Sequence, residues 1–201
     1  MLIGITGQIG AGKTTAANIL KAMGAIVIDA DRIGRKVVET NPGLIQKLAR
    51  VFGPQILTPT GNLRRKKTAE IAFSNERNRK LLNSLVHPYL LRELKKQIKR
   101  NLGKKKVVVI DAALLLDWKL DNIVDLTLVI GCSKEKRITR LLKKGLSKSD
   151  ALARMKSQLP FRDYEKRADK VILNSSTAAA FKRKVQKWAD SYFDRKLNTV
   201  F

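Results

Sequence analysis

The stretch GQIGAGKTT, residues 7–15, limits the possible folds of this chain more than any other feature. It satisfies the pattern G-x-x-x-x-G-K-[ST] at Gly7, Gly12, Lys13 and Thr14, with an apolar strand pattern before it and a helical pattern after it. The glycines let the backbone wrap with N–H groups facing an oxyanion, and the next helix adds the positive end of its dipole. Lys13 supplies a charge for the terminal phosphates, and the hydroxyl of Thr14 can bind the Mg²⁺ that bridges them. The sequence therefore predicts a loop that holds a nucleoside triphosphate.

The order of the glycines distinguishes this loop from a dinucleotide-binding fingerprint. That fingerprint requires G-x-G-x-x-G, whereas Gly7, Gly10 and Gly12 give G-x-x-G-x-G. The chain contains no guanine-specifying Asn-Lys-x-Asp, which argues against a switch GTPase, and 201 residues are too few for a motor or a helicase.

Short apolar runs alternate with helical patterns along the chain and predict five strands. These runs are LIGIT (2–6), AIVID (25–29), VVVID (107–111), LTLVI (126–130) and KVIL (170–173). A helix is expected from about Lys13 to Met23, with Gly24 as its stop, and the last helix from about 176 to 197. This alternation predicts an α/β, three-layer fold around a central five-stranded parallel sheet.

Two basic helical segments interrupt the alternation. Residues 60–102 are expected to be largely helical, with breaks at Asn75 and Pro88. From residue 64 to residue 106 there are 15 basic and three acidic residues, a net charge of +12. Residues 134–167 form the second segment, in which an N-cap is expected at Ser147.

A single domain over 1–201 with these two insertions is typical of a P-loop kinase-type fold acting on a small molecule. One insertion, about 60–102, would bind the acceptor. The other, about 134–167, would form a lid that closes over the nucleotide and excludes water.

Acidic residues stand where two of the predicted strands end. The second strand runs into Asp29-Ala30-Asp31, and the third ends at Asp111. Ligands of open parallel sheets sit at the carboxyl ends of the strands, so a carboxylate there can accept a proton from the acceptor or hold Mg²⁺. The same positions also suit helix caps and first-turn acids, and only one of Asp29 and Asp31 is expected to face the chemistry.

The chain is strongly basic, with 42 Lys and Arg against 17 Asp and Glu and a net charge of +25. Such a surface attracts polyanions such as nucleic acid, acidic membranes or phosphorylated small molecules, although it also fits a bias of composition without a specific role. One cysteine and one histidine exclude an intrachain disulfide and argue against a zinc site. No apolar run approaches the roughly 20 residues of a membrane span, and no basic leader precedes the N-terminal apolar stretch, so we expect a cytoplasmic protein.

From residue 2 to about residue 175 the ordered motifs resemble those of the dephospho-coenzyme A kinases. They are GITGQIGAGKTT (4–15), VIDAD (27–31), GNLRR (61–65), LLNSLVHP (81–88), VIDAALLLD (109–117), RITRLL (137–142), RMKSQ (154–158) and ADKVILN (168–174). The resemblance implies that ATP and Mg²⁺ are used to phosphorylate the ribose 3′-hydroxyl of dephospho-coenzyme A, the last step of coenzyme A biosynthesis.

The resemblance also implies a role for individual residues. Asp31 would be the base on the acceptor side, and Lys13 and Arg140 would complete the catalytic set. The residues expected to bind ATP are Gly10, Ala11, Gly12, Lys13, Thr14, Thr15 and Asn174. Those expected to bind the acceptor are Asp31, Arg65, His87 and Leu115, and those expected to hold the metal are Thr14 and Asp111. A lone histidine before a proline, as His87 is before Pro88, more often has a structural role at a helix break.

Four positions depart from the family pattern. Gln8 stands where Gly or Asn is usual, Ala113 replaces a proline and Asp117 replaces a glutamate. Lys144 stands where a second lid arginine is common. Because Lys cannot make the planar two-point contact of Arg, the other candidates for that role are Arg162 and Arg167.

Two alternative functions follow from the same sequence. One is a P-loop kinase of a nucleoside or nucleotide, and the other is a nucleotide-gated nucleic-acid-binding protein, which the net charge of +25 favours. The low aromatic content of 5% and the lack of an RNA-recognition motif argue against the second alternative. We therefore expect ATP and dephospho-coenzyme A as partners of a monomer or small homo-oligomer, without a specific nucleic acid or a membrane.

Overall fold

The computed structural model describes residues 1–102 and 107–197, and the chain divides into two compact units. One unit contains Met1–Asp29 and the chain from Arg100 onward, and the other is Ala30–Lys99. The second unit thus begins well before the insertion predicted at 60–102. The prediction of a single domain with two insertions stays a prediction.

The described residues form nine α-helices. In chain order they are α1 (Lys13–Ala22), α2 (Ala30–Thr40), α3 (Pro42–Phe52), α4 (Arg65–Ala72), α5 (Glu76–Leu102), α6 (Lys134–Leu142), α7 (Lys148–Lys156), α8 (Phe161–Glu165) and α9 (Ala178–Leu197).

Five parallel strands in the order β2-β3-β1-β4-β5 form the sheet of the first unit. They are β1 (Leu2–Thr6), β2 (Ile26–Asp29), β3 (Val108–Asp111), β4 (Leu126–Gly131) and β5 (Lys170–Leu173). The central strand is β1, in which Ile3 pairs with Val109 on one side and Leu126 on the other. Every residue of β1 is buried, as expected of a parallel strand covered on both faces. The predicted five-stranded parallel sheet is confirmed.

The core of the first unit lies between the sheet and the helices α1 and α9. Ile3 and Ile5 from the sheet, Leu20 from α1 and Phe181 from α9 belong to one buried cluster. Each such side chain contributes about 1.5–3 kcal/mol when it leaves water. Trp188 of α9 belongs to the same cluster at 7% exposure, so it fills the core.

The helix ends of the first unit largely follow the predicted signals. The last turn of α1 passes into Gly24, whose φ of 95° is left-handed and stops the helix. Ser147 caps α7: its Oγ accepts from the backbone N–H of Asp150 over 3.0 Å and donates to the carboxylate of Asp150 over 2.7 Å. The N-cap predicted at Ser147 is confirmed.

The second unit has its own core, built by α3 and its neighbouring segments. Leu44, Leu48 and Phe52 of α3 are buried with Ile56 and Val86. The start of α3 is fixed by its cap, because the Oδ1 of Asn41 accepts from the N–H of Leu44 over 2.9 Å.

The predicted helix break at Asn75 is confirmed, and the one at Pro88 is wrong. Asn75 accepts from the N–H of Asn78 over 2.8 Å at the start of α5. Pro88, in contrast, lies inside α5, which continues to Leu102. Proline removes the hydrogen bond to the carbonyl four residues earlier, that of Ser84, but both residues are exposed, so water can bind that carbonyl.

A buried apolar stripe explains why α5 continues through the proline. Val86, Leu90 and Leu94 recur every four residues and are at most 6% exposed. Their burial holds both sides of the proline in one helix.

No helix of the described residues is long and apolar enough to cross a bilayer.

Candidate nucleotide-binding site

The loop between β1 and α1 has the geometry of an anion-binding loop. The N–H of Ala11 donates to the carbonyl of Gln8 over 3.1 Å, which tightens the turn. Gly12 precedes α1 with a φ of 109°, and a Cβ at this position would collide with the side-chain amide of Asn174. The first N–H groups of a helix have no partner within it; in the described chain, no side chain caps α1 and no acid occupies its first turn. An anion can therefore bind at this end of the helix.

Three side chains predicted to bind the nucleotide stand together in the first turn of α1. Lys13 donates from Nζ to the carbonyl of Gly7 over 2.9 Å, so its ammonium group lies against the start of the loop. Thr14 and Thr15 follow it and are exposed. The structure thus brings the predicted cation and hydroxyl to the helix terminus.

Three consecutive carbonyls of the loop, those of residues 9–11, are bound from outside the loop. Arg137 donates from Nε to the first carbonyl over 2.8 Å. Arg140 donates from Nη1 to the second and third over 3.0 Å each, and Asn174 donates from Nδ2 to the third over 2.8 Å. In a trans peptide the C=O and the next N–H point in opposite directions, so the N–H groups of Gly10 and Gly12 face the opposite side of the loop. That side is where these amides can bind a phosphate.

Arg140 and Asn174 are linked to each other as well as to the loop. Arg140 donates from Nη2 to the backbone carbonyl of Asn174 over 3.2 Å and from Nη1 to the sulfur of Cys132 over 3.4 Å. Asn174 is 5% exposed and Arg140 is half-buried. Both predicted site residues therefore lie at the phosphate loop, on its carbonyl side.

Two acidic residues meet at the carboxyl edge of the sheet. Asp29, at the end of β2, is the register partner of Asp111, at the end of β3, and Asp111 also pairs with Ile5 of β1. Neighbouring residues in register on parallel strands direct their side chains to the same face. Asp31, in the first turn of α2, is half-buried and belongs to the second unit.

The residues present fit Mg²⁺. Thr14 offers a hydroxyl at the start of α1, and Asp111 offers a carboxylate at the end of β3. Mg²⁺ prefers oxygen ligands and is usually held by one or two protein groups together with water and substrate phosphates. Within residues 1–102 and 107–197, no group of three or more His, Cys, Asp or Glu side chains could hold a metal ion, so these residues provide no cage made of such side chains.

The candidates for the second lid arginine differ in their surroundings. Arg167 donates from Nε to Asp121 over 2.8 Å and from Nη1 to the carbonyl of Leu116 over 3.2 Å. Lys144 and Arg162 are both exposed. Arg167 is therefore held by structural contacts, and the assignment of the role to one of the three stays open.

The residues predicted to bind the acceptor lie in different places. Arg65 begins α4 and forms an ion pair with Glu39 over 2.7 Å, and His87 is half-buried in α5. Leu115 is fully buried, with its Cδ1 only 2.6 Å from where a Cβ on Gly4 would stand. The side chain of Leu115 therefore fills the core beside β1, and its assignment to acceptor binding stays a prediction.

The second half of α5 presents exposed basic side chains, those of Arg92, Lys95, Lys96 and Lys99. Arg92 stacks its guanidinium 5.2 Å from the ring centroid of Tyr89. A shallow groove along the helix is lined by Pro88, Leu91, Arg92, Lys95, Lys96 and Lys99. The lysines at 104–106, which contribute to the predicted charge of +12, lie outside the described residues. The expected steering of anions by this segment stays a prediction.

Two residues of the site were missed by sequence reasoning. Arg137 is 5% exposed and binds the loop, and Gln158 accepts from the N–H of Ile9 at its Oε1 over 2.7 Å. The sequence signal that could have identified Arg137 is its spacing from Arg140. It lies three residues earlier and on the same face of α6. Gln8, which departs from the family pattern, makes a hydrogen bond that a glycine could not make. Its Nε2 donates to the carbonyl of Leu159 over 3.0 Å.

Proteins of known identity are similar to this chain in sequence. The family model of dephospho-CoA kinase matches residues 1–180. A dephospho-CoA kinase of Carboxydothermus hydrogenoformans is 37% identical over 194 residues, which cover 93% of this chain and 94% of the relative.

Two solved structures are similar over nearly the whole chain. One, from Thermus thermophilus, has a TM-score of 0.81 and 29% identity, covering 96% of this chain and 97% of its own. The other, a dephospho-CoA kinase from Campylobacter jejuni, has a TM-score of 0.72 and 26% identity, covering 94% and 96% respectively. Both support the predicted α/β fold of the P-loop kinase type. This chain belongs to the dephospho-CoA kinase family.

Proposed function

We propose that this protein transfers the γ-phosphoryl group of ATP to the ribose 3′-hydroxyl of dephospho-coenzyme A. The observation that carries the proposal is the phosphate loop, whose carbonyls are held outward from residue 9 to residue 11, in a chain of this family. The phosphate loop accounts for a triphosphate donor. Membership of the family selects dephospho-coenzyme A as the acceptor.

On the donor side, the loop amides, Lys13 and Thr14 bind the phosphates. The ammonium of Lys13 stands 2.9 Å from the carbonyl of Gly7, beside the N-terminus of α1. Thr14 and Asp111 would hold Mg²⁺, which would neutralise negative charge on the triphosphate. Thr15 completes the first turn of α1 and is assigned to the same phosphates.

Arg140 is proposed to stabilise the negative charge on the transferring phosphoryl group. Its Nη1 lies 3.0 Å from the carbonyls of Gly10 and Ala11, so its positive charge is held against the loop. Asn174 supports the same arrangement through Ala11 and is assigned to ATP binding. From the carbonyl side of the loop, the charge of Arg140 would act on the phosphates across the loop.

On the acceptor side, Asp31 is proposed as the general base. The 3′-oxygen forms a bond to the γ-phosphorus, the bond from that phosphorus to the ADP oxygen breaks, and the hydroxyl proton passes to the carboxylate of Asp31. Arg65 and His87 are assigned to acceptor binding. Leu115 is assigned to acceptor binding as well, and its side chain is buried.

We further propose that the protein acts in the cytoplasm as a monomer or small homo-oligomer. The single cysteine fits a reducing compartment, where disulfides do not form. ATP and dephospho-coenzyme A would be its partners, without a specific nucleic acid or a membrane. The basic residues of α5 would attract both anionic substrates.

One incubation tests this function directly. The purified protein is mixed with ATP, Mg²⁺ and dephospho-coenzyme A, and the product is identified by mass. We expect coenzyme A and ADP in equal amounts, and their loss in Lys13→Ala but not in Lys21→Ala, which removes an exposed lysine from the last turn of the same helix. Transfer to a nucleoside instead of dephospho-coenzyme A, or salt-sensitive RNA binding without transfer, would contradict the proposal.

A further inference from the structure

Arg137 of α6 is a buried cation beside the phosphate loop. It is 5% exposed, and among the residues whose burial the structure describes it is the only buried side chain that carries a charge. A buried cation is costly unless a negative group compensates it. Its surroundings therefore call for a physical explanation.

The contacts of Arg137 all tie α6 to the outer turn of the loop. Its Nε donates to the carbonyl of Ile9 over 2.8 Å, and its Nη1 donates to the side-chain oxygen of Gln8. The backbone of Gly10 passes so close that a Cβ there would stand 3.2 Å from the Cα of Arg137. Arg137 therefore supports the Gln8–Gly10 part of the outer face, while Arg140 and Asn174 bind the carbonyls that follow.

Gln8 uses both ends of its amide in this arrangement. The oxygen accepts from Arg137, and the nitrogen donates to the carbonyl of Leu159 over 3.0 Å. The next residue of the loop, Ile9, donates its N–H to Gln158 over 2.7 Å. Loop, α6 and the segment after α7 are therefore joined in one hydrogen-bonded network.

The charge of Arg137 has no carboxylate partner in the described part of the chain. None of the ion pairs there includes it, and its Nη2 is buried without a hydrogen-bond partner. Burial also lowers the pKa of the guanidinium, while the Cys132 thiol and the Tyr164 hydroxyl act in the opposite direction. A bound phosphate would supply a compensating negative charge, and the loop beside Arg137 has the geometry of an anion-binding loop.

We propose that Arg137 is a positioning residue of the phosphoryl transfer: with Gln8 it fixes the outer face of the loop, and its uncompensated charge stabilises the triphosphate bound on the inner face. The inference rests on the proposed function only in naming ATP as that triphosphate. The inference goes beyond the proposed function because it assigns a role to the Gln8–Arg137 pair. Gln8 is also a position where this chain departs from the family pattern.

The pair makes a specific prediction of coupling. Gln8→Ala leaves Nη1 without its partner, and Arg137→Met leaves the carbonyl of Ile9 and the oxygen of Gln8 without theirs. Since each single change already breaks the shared contact, the double variant should lose less than the two single losses combined.

The test measures ATP binding by titration, without any acceptor, together with kcat, the KM for both substrates and thermal unfolding. Arg137→Met should weaken ATP binding about tenfold or more, because it removes a unit charge close to the phosphates in a partly desolvated place. Arg137→Lys keeps the charge but not the two-point contact and should recover part of the loss. The KM for the acceptor should not change.

Lys143→Met is the matched control, because it removes an exposed cation just after the end of the same helix. Its effect on ATP binding should be small and should vanish at high salt, whereas that of Arg137→Met should persist. A change in unfolding temperature alone, with wild-type ATP affinity in both Arg137→Met and Gln8→Ala, would overturn the proposal. If Arg137→Met does not fold, Arg137→Lys and Gln8→Ala decide by the same titration. Failure to make coenzyme A with this coupling intact would instead contradict only the proposed function.

Discussion

Asn174 donates from Nδ2 to the carbonyl of Ala11 over 2.8 Å, although the two residues are 163 positions apart in the chain. The bond joins the end of β5 to the phosphate loop and is buried. The N–H of Asn174 donates in turn to the carbonyl of Gly131 over 2.7 Å, so its own backbone is fixed by β4. The shape of the loop therefore depends on the last strand of the sheet.

Replacement of Asn174 should affect both stability and nucleotide binding. Asn174→Ala leaves the loop carbonyl with one donor fewer in a buried place, so we expect the free energy of unfolding to fall by about 1–3 kcal/mol. ATP affinity should fall as well, because the loop loses one of its supports. Urea unfolding and an ATP titration measure the two effects. Asn62→Ala removes an exposed amide and should change neither; equal effects of both variants would contradict this prediction.

Asp31→Asn should separate ATP binding from catalysis. We expect the rate of transfer to fall by roughly 10²–10⁴ because the amide cannot accept the hydroxyl proton, while ATP affinity stays close to that of the wild type. Single-turnover kinetics and an ATP titration provide the two numbers.

Asp29→Asn is the matched variant, since Asp29 lies two residues earlier at the end of β2. It should retain more activity than Asp31→Asn. If instead Asp29→Asn is the slower variant, the base is Asp29 and the assignment of Asp31 is wrong.

The metal site should respond to changes at Thr14 and Asp111. Thr14→Ala removes a hydroxyl ligand and Asp111→Asn removes the negative charge of a carboxylate ligand, so a higher Mg²⁺ concentration should be needed for half-maximal activity. Activity measured against Mg²⁺ at saturating ATP checks this. Ser175→Ala, which removes an exposed hydroxyl outside the loop, serves as the control. An unchanged Mg²⁺ requirement in both variants would remove these residues as ligands.

Tyr164 should make stability depend on alkaline pH. Burial, with a smaller contribution from Asp117, raises the pKa of Tyr164 to about 12. The folded state therefore keeps this proton at pH values where the unfolded chain, with its ordinary pKa of about 10, has lost it. The contribution of Tyr164 is fully present below about pH 10 and is lost as the pH rises towards 12.

Urea unfolding at pH 9 and at pH 11 measures this dependence. The wild type should lose more stability between the two than Tyr164→Phe, which has no phenol to titrate. The same loss in both proteins would show that the hydroxyl of Tyr164 is not responsible.

The sheet and the phosphate loop could be predicted because their signals are local. The run LIGIT, which ends at the glycine loop, favours a short buried strand, and the glycine pattern directly precedes the helix it serves. The break at Asn75 was equally local, since its side chain caps the next helix. Pro88 shows the limit of such rules, because the burial of Val86 and Leu90 on both sides outweighs one missing hydrogen bond.

The support of the loop could not be predicted in the same way. Arg137 and Arg140 lie 128 and 130 positions from the carbonyls they bind, and the sequence around them is rich in similar cations. What distinguishes Arg137 is burial, which depends on packing between distant segments. The division at Ala30 was missed for a related reason: α2 follows β2 directly, and no loop composition marks the boundary.

The order of the strands has a consequence for how the protein folds during its synthesis on the ribosome. The central strand β1 is synthesised first, yet its neighbours β3 and β4 begin only at Val108 and Leu126. The segment Ala30–Lys99, which has its own core, is complete before either neighbour exists. Domains generally fold as units during synthesis, so this segment is expected to become compact first. The strand β1 and the nucleotide-binding loop after it acquire their neighbouring strands only when the second half of the chain has been synthesised.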